Sequence, residues 1–169
     1  AQIVEHGQDS LLRDIEIPLA QVLADMECIG VELDVPGLTA FGQGLDVDIA
    51  RLQASIYAHA GEEFNINSTK QLGAILFDKL GLPTRKKTKS GYSTNADVLE
   101  SLRGKHPIIE DILEYRKLTK LKSTYVDGLL KVVGEDGRIH TSFQQTETRT
   151  GRISSIEPNM QNIPVRTEI

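Results

Sequence analysis

Tryptophan is absent from this 169-residue chain, and four Phe and four Tyr supply all of its aromatic carbon rings. Platforms for single-stranded nucleic acid stack bases on rows of such rings, so that mode of binding is the least favoured here. Cys28 is the one cysteine, which excludes an internal disulfide. A free thiol packs like a small apolar group, so Cys28 reads as an ordinary helix residue. His6, His59, His106 and His140 are too scattered for metal-ligand spacing. No apolar run approaches the roughly 20 residues of a membrane span, and no basic-then-apolar signal pattern opens the chain. No membrane partner is expected, and the cytoplasm is the expected address. Internal repeats, low-complexity tracts and interdomain linkers are missing as well.

What is present is a globular composition, 39% apolar and 25% charged at 18.7 kDa. That suffices for one domain with a real core or for two small lobes. The net charge of −5 hides a segregation. Residues 1–64 carry 12 Asp or Glu against Arg13 and Arg51 alone, whereas residues 65–169 carry 12 acids against 17 Lys or Arg. An anionic partner would meet the second part, not the first. The plainer alternative is charge segregated on solvated faces.

Apolar residues at three- and four-residue steps (Leu12, Ile15, Leu19, Val22, Leu23, Met26, Ile29) predict a helix over 9–29 with one buried face. Pro18 starts or kinks its regular part, Gly30 stops it, and 31–34 alternates like a short strand. A second helix is predicted over 36–60, burying Leu38, Phe41, Leu45, Ile49, Leu52 and Ile56, with Gly37, Gly42 and Gly44 weakening its first turns. Ser68 and Gln71 form a capping box for a helix to about Leu80, the glutamine reaching back to the cap. Thr94 with Asp97 repeats the pattern for a helix ending at Gly104. The longest helix is predicted over 107–131, a turn at 135–137, and one strand over 138–146. The fold class is mainly α with a few short β-strands.

Three features suit an anion. Asn65, Ser68, Ser93 and Thr94 sit at predicted helix starts, where free backbone amides favour phosphate oxygens. Between two helices, 84–92 holds Arg85, Lys86, Lys87 and Lys89 and no acid, either a solvated loop or a backbone-binding tip. Arg116, Lys117 and Lys120 crowd one helix face, and like charges there cost a few tenths of a kcal/mol per pair, roughly. Glu114 offsets only Lys117, and a polyanion explains the ridge better than stability does. Beyond these, 148–167 is crowded with Arg149, Arg152, Asn159, Gln161, Asn162 and Arg166, while Gly151, Pro158 and Pro164 discourage a continuous helix. Donors on an irregular backbone suit phosphates and base edges; a solvated polar loop is the bland alternative.

The order of the residues narrows this. Thr150-Gly151-Arg152-Ile153-Ser154-Ser155, followed by Pro158-Asn159-Met160-Gln161-Asn162-Ile163-Pro164-Val165-Arg166, closely resembles the segment that enters the palm of bacterial family-A DNA polymerases. Phe64-Asn65-Ile66-Asn67-Ser68-Thr69-Lys70-Gln71-Leu72, the Lys-Lys-Thr of the basic loop, Leu113-Glu114-Tyr115-Arg116 and Lys120-Leu121-Lys122-Ser123-Thr124-Tyr125 resemble the thumb of that family. The similarity is weak at the start and strong from Phe64 onward.

The resemblance implies a leading helix and short palm strand over 1–34, a helical thumb over 35–134 and the start of the palm over 135–169. Its partner would be double-stranded primer-template DNA. Asn65, Ser68, Arg116 and Lys120 would contact the duplex backbone, and Arg152, Asn159, Gln161 and Asn162 would approach the minor groove near the primer end. Lys86, Lys87, Ser93, Thr94 and Arg166 complete the DNA-binding set. The family's two catalytic metals, Mg2+ held by aspartates, and its nucleotide-binding lysine lie on segments beyond Ile169. Nucleotidyl transfer, deoxynucleotides and magnesium are therefore expected of a longer parent enzyme, with no cofactor and no catalysis in this piece. The acidic pairs Asp46 with Asp48 and Glu62 with Glu63 lie away from the donors and are not expected to replace the missing aspartates. Two other classes stay open: a free-standing helical nucleic-acid-binding module, and a protein-interaction scaffold working through the acidic first part.

Overall fold

A computed structural model describes residues 2–83 and 91–163 together with the backbone of Lys87 and Thr88. They fall into two compact units, one from the chain's two ends (up to Leu38 and from Gly128 on) and one from Thr39–Asp127. The described residues are mainly helical with short strands.

In the Thr39–Asp127 unit the core is aliphatic: Ile56, Leu72, Leu76, Leu99, Ile108, Ile109 and Ile112 are all fully buried. Each such side chain contributes about 1.5–3 kcal/mol relative to exposure. Helix α3, Val35–Ala60, supplies Leu45, Ile56 and Ala60 to its buried side. It starts beside Asp34, whose Oδ1 accepts the Gly37 amide at 2.9 Å. Gly42 serves packing rather than weakness, because a Cβ there would lie 2.8 Å from Val126 Cγ1. Phe41, predicted buried, is 48% exposed.

Helix α4 runs through Thr69–Gly73 and a wider π-type turn, Ala74–Lys79. Ser68 caps it by accepting the Gln71 amide at 3.4 Å. The glutamine departs from the predicted capping box. Its Oε1 accepts from Asn65 N at 2.7 Å, because the Ser68 amide is already given to the Asn65 carbonyl at 3.0 Å. Helix α5, Ala96–Glu100, is capped by Asn95, not Thr94, with Val98 N donating to Asn95 Oδ1 at 3.0 Å. Turns then lead past Gly104 to helix α6, which joins Pro107–Lys120, a π-type turn Leu121–Val126, and Asp127–Val132. The His106 ring caps it, accepting the Ile108 amide at 3.2 Å.

The other unit holds α1, Gln2–Glu5, and α2, which joins Asp9–Leu11, a π-type turn Leu12–Glu16, and Ile17–Ile29. The predicted buried face of α2 is largely bare: Leu23 is buried, but Ile15, Val22, Met26 and Ile29 are 48–62% exposed. Periodicity marks an apolar stripe without saying what covers it, and what α2 meets through Arg138, His140, Phe143 and Gln145 are polar contacts with its backbone and acids.

Strand β1, Val31–Glu32, pairs antiparallel with β4, Arg138–Ile139, in the register Val31 to Ile139. A small hairpin, β2 (Lys87–Thr88) with β3 (Gly91–Tyr92), belongs to the Thr39–Asp127 unit. The predicted single strand 138–146 is divided: after β4 the chain breaks at His140 and Thr141, then resumes as β5, Ser142–Gln144, which pairs with β6, Ser154–Ile156. The inward alternation survives the break, with Ile139 and Thr141 buried, but the pairing partner changes from β1 to β6.

Candidate nucleic-acid interface

Candidate donors occur in both units. In the Thr39–Asp127 unit the turn before α4 presents Asn65 and Ser68. Asn65 Oδ1 accepts the Asn67 amide at 3.0 Å, which leaves its amide NH2 without a partner among the described residues. The first amides of α4, on Thr69 and Lys70, precede the capped one and have no intrahelical acceptor. Together they form a small donor cluster with the positive end of the helix dipole behind it.

The cationic ridge is less free than the sequence suggests. Arg116 Nη1 donates to the Thr94 carbonyl and Nη2 to Thr94 Oγ1, the latter at 3.2 Å. Burial pulls the Arg116 pKa down from its ordinary value, yet a guanidinium stays charged at neutral pH. Two of its five N–H groups are spent, so it can still donate outward. Lys117 pairs with Glu114 at 3.3 Å, and Lys120 is exposed with no ion pair among the described residues. Thr94, expected at a helix start, is only 3% exposed and lies beneath Arg116; Ser93 beside it is half-buried. Lys86 lies outside the described residues, as does the side chain of Lys87.

Tyr92 seats the base of the β2–β3 hairpin and was missed in the sequence. Its ring lies 4.9 Å from that of Phe77, and its hydroxyl donates to Asp78 at 2.5 Å. That hydrogen bond raises the Tyr92 pKa.

In the other unit the donor-rich segment forms a turn built around two buried hydroxyls. Thr141, at the β4–β5 break, is 4% exposed, and Ser155, in β6, is 2% exposed. Their oxygens lie 2.7 Å apart, and Thr141 Oγ1 is also 2.7 Å from the Pro158 carbonyl. Met160 N donates to Ser155 Oγ at 3.0 Å. One proton per hydroxyl completes a consistent chain: Met160 amide to Ser155, Ser155 to Thr141, Thr141 to the Pro158 carbonyl.

Gln161 closes the same turn, its Nε2 donating to the Ile153 carbonyl at 2.7 Å and its Oε1 accepting from Ser155 N at 3.3 Å. One of its side-chain N–H groups is left over. Asn159 Oδ1 takes the Gln161 amide at 2.9 Å. That leaves the Asn159 NH2 and the exposed side chains of Arg152 and Asn162 without partners among the described residues. Arg166 lies outside the described residues. Thr141 followed the inward alternation of its strand, but nothing in the sequence tied it to Ser155.

Among the described residues no three His, Cys, Asp or Glu side chains converge where a metal could be held, and no helix is long and apolar enough to cross a membrane. The geometry offers hydrogen-bond donors and positive charge on scaffolds fixed by buried polar contacts, an arrangement suited to phosphate oxygens and base edges.

Known proteins agree in sequence and in fold. DNA polymerase I of Geobacillus stearothermophilus is 57% identical over 168 residues, 99% of this chain and 19% of that protein. The thermostable DNA polymerase I of Thermus aquaticus is 54% identical over 169 residues, 96% of this chain and 20% of that protein. The chain thus spans about a fifth of the length of these relatives. The POL domain of Pol1 from M. smegmatis, solved in complex with DNA primer-template and dNTP, superposes with a TM-score of 0.85 at 45% identity, covering 98% of this chain and 30% of that one. The family model for DNA polymerase family A matches residues 36–169, so the chain belongs to DNA polymerase family A.

Proposed function

We propose that this chain is the part of a bacterial DNA polymerase I that grips primer-template duplex during template-directed 5′–3′ DNA synthesis in replication and repair. The observation that carries the reading is the likeness, at TM-score 0.85 and 45% identity, to a polymerase domain solved with DNA primer-template and dNTP. Residues 35–134 act as the helical thumb, 1–34 as the helix and strand leading into it, and 135–169 as the start of the palm. Asn65, Ser68, Ser93, Arg116 and Lys120 meet the duplex backbone, joined by Lys86 and Lys87. Thr94 takes part through Arg116.

Arg152, Asn159, Gln161 and Asn162 face the minor groove, and Arg166 completes the DNA-binding set. Groove acceptors there occupy nearly the same place in every correct base pair, so fixed donors report pair geometry and not sequence. Magnesium, deoxynucleotides and the transfer step belong to the parent enzyme, which works in the cytoplasm; the isolated chain transfers no nucleotide.

Duplex binding across a salt series tests the reading. Log affinity should fall by about 0.9 per neutralised phosphate for each tenfold rise in salt, equally for unrelated sequences. A flat salt response would overturn the backbone contacts. Primer extension by the purified chain with magnesium and nucleotides would overturn its inactivity.

A further inference from the structure

The donors on the turn in the unit from the chain's ends are carried by backbone that makes few pairings of its own. Between Gly151 and Asn162 only Ser154–Ile156 is in a ladder, three residues against β5. The remainder is held by the buried pair of Thr141 and Ser155, with Gln161 tying Ile153 into the turn and the Thr148 hydroxyl donating to the Arg152 carbonyl. Thr141 is outside the segment, on the strand side of the turn, and its hydroxyl lies within 2.9 Å of the Ile156 carbonyl and 2.7 Å of the Pro158 carbonyl. Ser155 relays that anchor to the Met160 amide. One side chain thereby fixes both limbs of the turn, with Arg152 standing before the anchored stretch and Asn159 inside it.

We infer that Thr141 is a positioning residue for the minor-groove donors. It touches no DNA and acts by holding Arg152 and Asn159 in register with the duplex. The inference rests on the duplex-gripping function proposed above. Its physical basis is the distance dependence of hydrogen bonds: a donor that has to tell a correct pair from a mispair must be held to a fraction of an ångström. A valine at this position fills almost the same volume but removes the hydroxyl that bridges Ser155 to the Ile156 and Pro158 carbonyls, leaving Ser155 Oγ, 3.1 Å from the Pro158 carbonyl, as the turn's one buried hydroxyl. A serine keeps the hydroxyl and drops only the methyl.

The test uses the full-length polymerase that carries this segment, with primers ending in a matched or a mismatched pair. Thr141→Val should raise the ratio of mismatched to matched extension about fivefold, the factor equivalent to one net hydrogen bond. Thr141→Ser should be indistinguishable from the parent. Ser155→Ala reaches the same pair from the other side and should match Thr141→Val, so the test survives if the valine variant fails to fold. Because Thr141 works through Arg152 and Asn159, adding Thr141→Val to Arg152→Ala should change the ratio by less than it does alone.

A parental ratio for both Thr141→Val and Ser155→Ala, or a serine variant as impaired as the valine one, overturns the inference while Arg152→Ala still shifts the ratio. A parental ratio for Arg152→Ala overturns the underlying functional reading instead.

Discussion

Both terminal nitrogens of Arg116 end on Thr94, one on its carbonyl and one on its hydroxyl. The α6 arginine that resembles a backbone contact is thus also the clasp of the stretch leading into α5. Arg116→Ala should therefore cost stability as well as affinity, about 1–3 kcal/mol for the buried acceptors it leaves unpaired. Urea denaturation measures the first effect and the salt slope of duplex binding the second. Arg116→Lys keeps the charge and should restore most of the salt slope but less of the stability, since an ammonium cannot span both acceptors as a guanidinium fork does.

Gly42→Ala sets two effects against each other. Alanine improves helix propensity by about 1 kcal/mol. The new Cβ, however, meets Val126 Cγ1 at 2.8 Å, and Val126 is buried and β-branched, with little room to turn. Overpacking of this kind costs about 1–3 kcal/mol, so net destabilisation is expected. The clash vanishes in Gly42→Ala with Val126→Ala, and thermal melts of the two single variants and the pair should be clearly non-additive.

His140 should make the unit built from the chain's ends pH-sensitive. Its Nδ1 lies 2.7 Å from the Glu27 carbonyl and its Nε2 3.0 Å from Asp136; the hydrogen bond to the carbonyl first, then the hydrogen bond to and the charge of Asp136, raise its pKa above the ordinary 6.5, against desolvation and Arg138. The protonated ring is favoured by folding. Its contribution is complete below the unfolded pKa and is lost as pH rises through the elevated folded value. Asp136, whose pKa is lowered chiefly by His140, loses its own contribution as pH falls through that lowered value. An NMR titration should place His140 above 6.5, and His140→Gln should flatten the loss of stability on the alkaline side.

Arg152→Ala in the full-length enzyme should weaken discrimination against mismatched primer ends. Its side chain is exposed and unpartnered among the described residues, so the substitution disturbs little inside the fold. A groove contact worth about 1–3 kcal/mol corresponds to roughly 5- to 150-fold in the ratio of mismatched to matched extension. Single-nucleotide extension kinetics on paired primers measure it.

Local chemistry made much of this fold legible. Pro107 opens α6, and Gly61 and Gly81 follow α3 and α4 where a chain reversal needs left-handed backbone. The Ser68 cap formed as predicted because it involves only neighbours. What failed depended on distant partners. Gln71 reached Asn65 because the nearer amide was taken, Asn95 displaced Thr94 as a cap, and the strand divided where Thr141 turned toward Ser155. The crowding of donor side chains over 148–167 is plain from the sequence. Which of them the protein spends on its own backbone, Gln161 above all, is not.

The bare flank of α2 bears on how the isolated chain behaves in a tube. Ile15, Val22, Met26 and Ile29 line one side of a single helix and stand largely in water. Such an oily strip invites like molecules to gather, more so in strong salt, where apolar contacts tighten and charge repulsion fades. Dilution and modest ionic strength are therefore the conditions that keep a preparation monodisperse.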